Sequence, residues 1–259
     1  MARQRTSACV SELFDMKLRG LRRDRAAGGP ISFLHQRVFA EIVERIEQLG
    51  RRFERALVIG YRDPEWLPPL HTLAKRVDVA DLNLVEDDWA PPENVFDLAL
   101  SVGTLDTVND LLLALRLIRH AMRADGLFIG AMSGGDTLPQ LRAAMRAADA
   151  VAGAAAPHVH PRIEASALGP LLHAADFANP VVDIDRLPVS YPSLERLIGD
   201  LRGTGATNIL HARPRFIGRA ARAAAIRAFA QAGHGWRTVE TFEILHFAAW
   251  APAKVRTGR

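Results

Sequence analysis

The sequence predicts an α/β domain: a mostly parallel sheet with helices on both faces and a helical insertion before its last strand. Three observations carry this. Short apolar runs of strand type alternate with stripes of helical period. Turn residues such as Gly60 and Asp125-Gly126 fall between them. The alternation then breaks near the end, where one strand is followed by two helices and a closing strand, so a helical insertion precedes the last strand.

Taken in order, "FLHQRVFAEIVERIEQL" (33–49) puts Phe33, Leu34, Val38, Ile42, Val43, Ile46 and Leu49 on one stripe of a helix. Residues 55–60 form the first strand, and 64–75 a short helix with Pro64 in its first turn. The segment 76–89 reads as extended, 95–105 as a buried strand and 108–123 as a helix. Strand 127–132 follows the Asp125-Gly126 turn, then helices from about Thr137 and near 164–175, and a strand at 180–191. Helices at 192–205 and 215–233 precede the final strand, 239–252. Residues 1–259 make one domain, with an N-terminal helical segment (1–50) and a helical insertion (192–233).

The chain has 259 residues, 49% of them hydrophobic and 24% charged, which suits an ordinary globular core. No apolar run reaches the roughly 18 residues of a spanning helix. Acids enter early at Glu12 and Asp15, so no leader is expected and the cytoplasm is the expected compartment. Cys9 is the single cysteine, which excludes an internal disulfide and a cysteine metal cluster. The net charge of +4 is spread out except in "KLRGLRRDR" (17–25). That stretch reads as a solvated face, and no nucleic-acid partner is expected, because few aromatic residues accompany it.

Several segments, in order along nearly the whole chain, resemble a subgroup of class I S-adenosylmethionine-dependent methyltransferases. They are "LFDMKLRGLRRDRAA" (13–27), "FDLALS…TVNDL" (96–111), "GLFIGAMSGGDTLPQLR" (126–142), "APHVHP" (156–161), "VSYPSLERLIGDLRGTGATN" (189–208) and "TFEILHFAAWAP" (241–252). The subgroup includes the mitochondrial complex I assembly factor that hydroxylates an arginine and, more distantly, the malonyl-carrier methyltransferase of biotin synthesis. The resemblance implies a Rossmann-like, mostly parallel seven-stranded sheet with an antiparallel last strand, S-adenosylmethionine across the carboxyl ends of the early strands, and a helical lid insertion formed by 192–233 between the last two strands.

Against that pattern, the first turn keeps only Gly60. Tyr61, Arg62, Asp63 and Pro64 stand where further glycines would let backbone amides approach the cofactor. Asp81 and Glu86 are the candidates for the ribose and adenine contacts, but a helix and a strand normally intervene between two such acids. A segment is therefore expected to be deleted or collapsed between Asp81 and Phe96. Ser101 and Val102 remain as cleft-lining candidates on the next strand, while Asp106 and Thr107 replace a His-Trp pair of the relatives.

The later half keeps more of the pattern. Gly134 and Gly135 allow a tight turn, and Asp136 or Thr137 is expected to cap the next helix. Asp136, Arg142, His158 and Tyr191 are candidates for a substrate or partner cleft. His160 and Arg162 depart from the family's Ser and Phe. His158 and His160 have no third ligand nearby in sequence, so no metal site is expected. His246 and Trp250 read as packing residues.

Two functions stay open. One is an enzyme using S-adenosylmethionine in a modified pocket, with a small acyl substrate or, as in the arginine hydroxylase, a subunit of complex I. The other is a non-catalytic methyltransferase-fold protein that binds a protein partner, as a homo- or hetero-oligomer.

Overall fold

A computed structural model describes residues 12–27, 29, 32–60, 63–80, 89–214 and 216–253. The helices are α1 (Met16–Ala27), α2 (Phe33–Gln48), α3 (Leu67–Leu73), α4 (Leu111–Ala121), α5 (Pro139–Ala152), α6 (Ala165–Ala174), α7 (Leu194–Gly203) and α8 (Arg219–Gln231). The strands are β1 (Phe53–Ile59), β2 (Ala74–Ala80), β3 (Phe96–Val102), β4 (Met122–Ser133), β5 (Ala178–Tyr191) and β6 (Thr238–Trp250).

The sheet order is β2-β1-β3-β4-β6-β5. The first four strands are mutually parallel, and β6 runs antiparallel to both β4 and β5. Among the described residues the sheet has six strands rather than seven. The place where another would enter, between Asp81 and Phe96, includes residues 81–88, which lie outside the described residues.

Apolar residues of both sheet faces build the core. Phe128, Phe177 and Phe247 meet α4 and α6 on one face. On the other, Val38, Ile42 and Ile46 of α2 pack on β1, β3 and β4, with Phe39 stacked on Trp66 at 4.5 Å. Ser32 caps α2 by accepting from the Leu34 amide. Phe33 and Leu49, expected on the buried stripe, are exposed because they sit at the helix ends, beyond the sheet's reach.

The basic stretch 17–25 is not simply a solvated face. It lies within α1, where Arg19 is buried and donates to the main-chain carbonyl of Thr104 at 2.9 Å. Long cationic side chains can bury their stems while the head finds carbonyls, and composition alone does not reveal this.

A third cluster joins α5, α7 and α8 around Leu141, Leu197, Phe229 and Tyr191. It stands over the carboxyl ends of β3 and β4 and the start of β6. Because β6 is antiparallel, its beginning lies at the same end of the sheet.

Candidate functional site

Gly60 follows β1 with φ +73°, and its amide donates to Ala80 at 3.0 Å. A Cβ built there would fall onto the Thr104 side chain. Thr104 is fully buried, and its hydroxyl donates to the Val102 carbonyl at 2.9 Å. Gly103 also has a positive φ, +57°, and a Cβ there would lie 2.8 Å from His35 Nε2 of α2. Both glycines are thus needed for close approach, but what approaches is this chain's own side chains.

A cavity of about 650 Å³ opens beside this filled region. Val102 and Gly103 after β3, Ala131–Ser133 of β4 and Phe242–Ile244 of β6 form its floor. Residues 32–35 wall one side, and Tyr191 with Arg196 and Asp200 of α7 covers it.

Buried ionic groups sit at its base. Arg162 donates to the carboxylate of Asp106 and, at 3.0 Å, to its main-chain carbonyl. Both side chains are less than a tenth exposed. Burial alone would raise the Asp106 pKa, but Arg162, Arg19 and a hydrogen bond from Ser133 outweigh it and hold the acid below its ordinary value. His160 lies beside them, edge-on to Phe14. Its Nε2 accepts from the Ile209 amide at 2.9 Å, while Arg162 Nη2 faces Nδ1 at 3.3 Å. Burial, and then the nearby Arg162 charge, push its pKa down to about 3, so this imidazole is neutral at pH 7.

Tyr191 is buried, and its hydroxyl pKa is raised by burial and then by the neighbouring Asp200 carboxylate, with which it is hydrogen-bonded. The phenol therefore stays protonated, with its hydrogen bond given to Asp200 at the cavity roof.

Of the candidates from sequence, Val102 and Tyr191 line this cavity. Gly60 and Ser101 lie at neighbouring strand ends but not in its lining, and the buried Ser101 hydroxyl has no partner among the described residues. Asp81 and Glu86, like Tyr61 and Arg62, lie outside the described residues. Asp136 is exposed and pairs with Arg186 at 3.2 Å. Arg142 clasps the carbonyls of Thr137, Gly135 and His160, tying the turn after β4 to the 158–162 loop. His158 is held by Asp149 at 2.7 Å, away from the cavity.

The expected cap of α5 is also replaced. Neither Asp136 nor Thr137 caps it. Glu240 of β6 does, accepting from the amides of Gln140 (3.2 Å) and Leu141 (2.8 Å), while Thr137 clamps Glu243 of the same strand. A buried carboxylate at a helix N-terminus satisfies free amides and meets the positive end of the helix dipole.

Asp106, His160 and Arg162 were visible in sequence only as departures from the relatives. The structure brings those departures together. A change at 106 and another at 162 supply the two halves of one ion pair.

Among the described residues no helix is long and apolar enough to cross a membrane. No family profile matches the chain. The chain is 31% identical to the mitochondrial arginine-hydroxylase NDUFAF5 of Mus musculus, over 95% of its own length and 79% of the relative's. It is 29% identical to the Danio rerio protein of the same name, over 93% and 83%. The malonyl-[acyl-carrier protein] O-methyltransferase of Xylella fastidiosa is 36% identical over 60% of this chain and 52% of that one. Among solved structures, the YcgJ protein of Bacillus subtilis aligns with a TM-score of 0.55 at 12% identity, covering 84% of this chain and 99% of its own. A putative methyltransferase from Bacillus halodurans aligns at 0.52 and 8%, over 82% and 99%. The solved structures share the fold, and the relatives extend the match over nearly the whole chain: it belongs to the S-adenosylmethionine-dependent methyltransferase-fold family that contains the arginine hydroxylase NDUFAF5.

Proposed function

We propose that this chain is a methyltransferase-fold binding protein that takes a group from a protein partner, or a small acyl group, into the cavity beneath α7. In this reading S-adenosylmethionine binds weakly or not at all. One observation carries it: Thr104 is packed against Gly60, the single glycine left in the cofactor turn. The described part of the turn does not fit the cofactor's charged tail, which needs backbone amides within reach. His35 against Gly103 narrows the same end of the sheet. The 192–233 segment supplies the lid through α7, with α8 packed behind it and against α5.

Calorimetric titration of the purified chain with S-adenosylmethionine and with its demethylated product tests this. The expected outcome is a dissociation constant above the micromolar range. Low-micromolar binding of either compound overturns it and puts a methyl-transferring enzyme in its place.

A second reading is hydroxylation of a partner's arginine, as the name of the relatives has it. It draws support from their 31% identity over 95% of the chain and from Asp200, a carboxylate at the cavity beside Tyr191 that suits a guanidinium. Under this reading Asp200→Asn weakens binding of an arginine-bearing peptide, while a lysine-for-arginine peptide binds poorly to the unaltered chain. The cytoplasm expected from sequence stands beside the mitochondrial setting in the relatives' name, and a chain with one cysteine suits either.

A further inference from the structure

On the sheet face covered by α2, three elements bring together Glu41 of α2, Asp185 of β5 and His246 of β6. One ligand atom from each lies within 4.8 Å of the other two. The strand register explains the meeting: Asp183 is directly opposite His246, so Asp185 is its diagonal neighbour. Glu41 comes down from the helix above.

His246 sets this cluster apart from an ordinary surface group of acids. It is only 2% exposed, and neither ring nitrogen has a hydrogen-bond partner among the described residues. Buried polar atoms are almost always paired, so an orphaned imidazole requires an explanation. Its Nε2 lies 3.4 Å from Glu41 Oε2, within ion-pair range but without hydrogen-bond geometry.

We propose that Glu41, Asp185 and His246 form a site for a divalent first-row metal ion, with zinc the best match. Zinc bonds of about 2.0–2.2 Å in a tetrahedral arrangement place neighbouring ligand atoms roughly 3.3–3.5 Å apart. The Glu41–His246 separation already has that length. Asp185 is about a third exposed and closes the remaining gap by a change of rotamer. One imidazole and two carboxylates balance the ion's charge and leave a position for water. A nitrogen donor argues against calcium or magnesium, which prefer oxygen alone.

The surrounding cations are accounted for. Arg45 is engaged with Asp183 at 2.8 Å. Arg37 takes Glu41 Oε1 at 2.8 Å and reaches Asp185 Oδ2 at 3.5 Å, so its contacts use one oxygen of each acid. Val38, one turn before Glu41, and Ile244, two residues before His246, line the large cavity. A bound ion would therefore tie α2 to the β5–β6 edge beside that cavity's wall.

The test uses the full chain, stripped of metal and titrated with cobalt(II), followed by visible absorption and then by displacement with zinc. One equivalent is expected, with a cobalt spectrum of low coordination number. Glu41→Gln, Asp185→Asn and His246→Gln should each weaken binding by more than about a hundredfold, since loss of an outer partner alone costs 10–100-fold. Circular dichroism checks folding, and the two carboxylate variants, at side chains about a third exposed, keep the test valid should His246→Gln unfold. Failure of the unaltered chain to bind either ion below millimolar concentration overturns the proposal. So does full affinity in Glu41→Gln and Asp185→Asn, which would locate the ion elsewhere.

Discussion

The two halves of the sheet's carboxyl edge differ in what fills them. After β1, the Thr104 side chain occupies the space next to the positive-φ Gly60. After β4 and at the start of β6, side chains withdraw and leave a cavity of about 650 Å³. The first region is filled by the chain's own atoms. The second stays open over a base of buried polar groups, Asp106 and Arg162 beside His160. The cavity thus depends on where the helices stand, and the chemistry of its base on individual side chains.

The sharpest way to break this contrast is to measure cofactor affinity. Losing two good hydrogen bonds to the cofactor's charged tail costs on the order of 3–6 kcal/mol. That corresponds to about two to four orders of magnitude in affinity against a working site. Calorimetry that finds an ordinary micromolar constant would make the two regions equivalent.

Next in size is the ion pair under the cavity. Asp106→Leu or Arg162→Met alone strands a buried charge and should cost about 3–5 kcal/mol in urea unfolding. The double variant should recover most of that, because replacing both partners with apolar side chains removes the penalty. A double variant as unstable as either single one would show that the pair does more than neutralise itself.

His160 provides a pH signature. Its folded pKa of about 3 lies below its ordinary value of 6.5, so in acid the unfolded chain binds the proton first. The contribution is complete above pH 6.5 and declines as pH falls toward 3. At about 1.4 kcal/mol per unit, this amounts to roughly 2 kcal/mol between pH 6.5 and 5. His246, also lowered by burial, adds to the same slope. His160→Gln should flatten the acid side of a stability–pH curve, and an unchanged slope would contradict the buried neutral imidazole.

The smallest effect concerns the cavity's cover. Ser193 caps α7 by accepting from the Arg196 amide at 3.2 Å. Ser193→Ala should cost about 1 kcal/mol. Hydrogen exchange should rise in α7 and leave α2 unchanged; equal changes in both would mean that the two walls move as one unit.

Much of this molecule is written in local pattern. The run Ala56–Ile59 before Gly60, the helical stripe through Val38, Ile42 and Ile46, and the long apolar segment of β6 each specify an element through side-chain period alone. The reduced first turn was equally legible, since a missing glycine is a fact of sequence. Tertiary structure decided the rest. Glu240 caps a helix that begins far earlier in the chain, Thr104 fills the space at Gly60, and Asp106 meets Arg162 across two loops. Glu41, Asp185 and His246 likewise share no motif. Period and propensity act over a few neighbouring residues, so they fix elements; charge pairing, capping from a distance and ligand clusters depend on where separate elements are packed, and only the folded chain sets those distances.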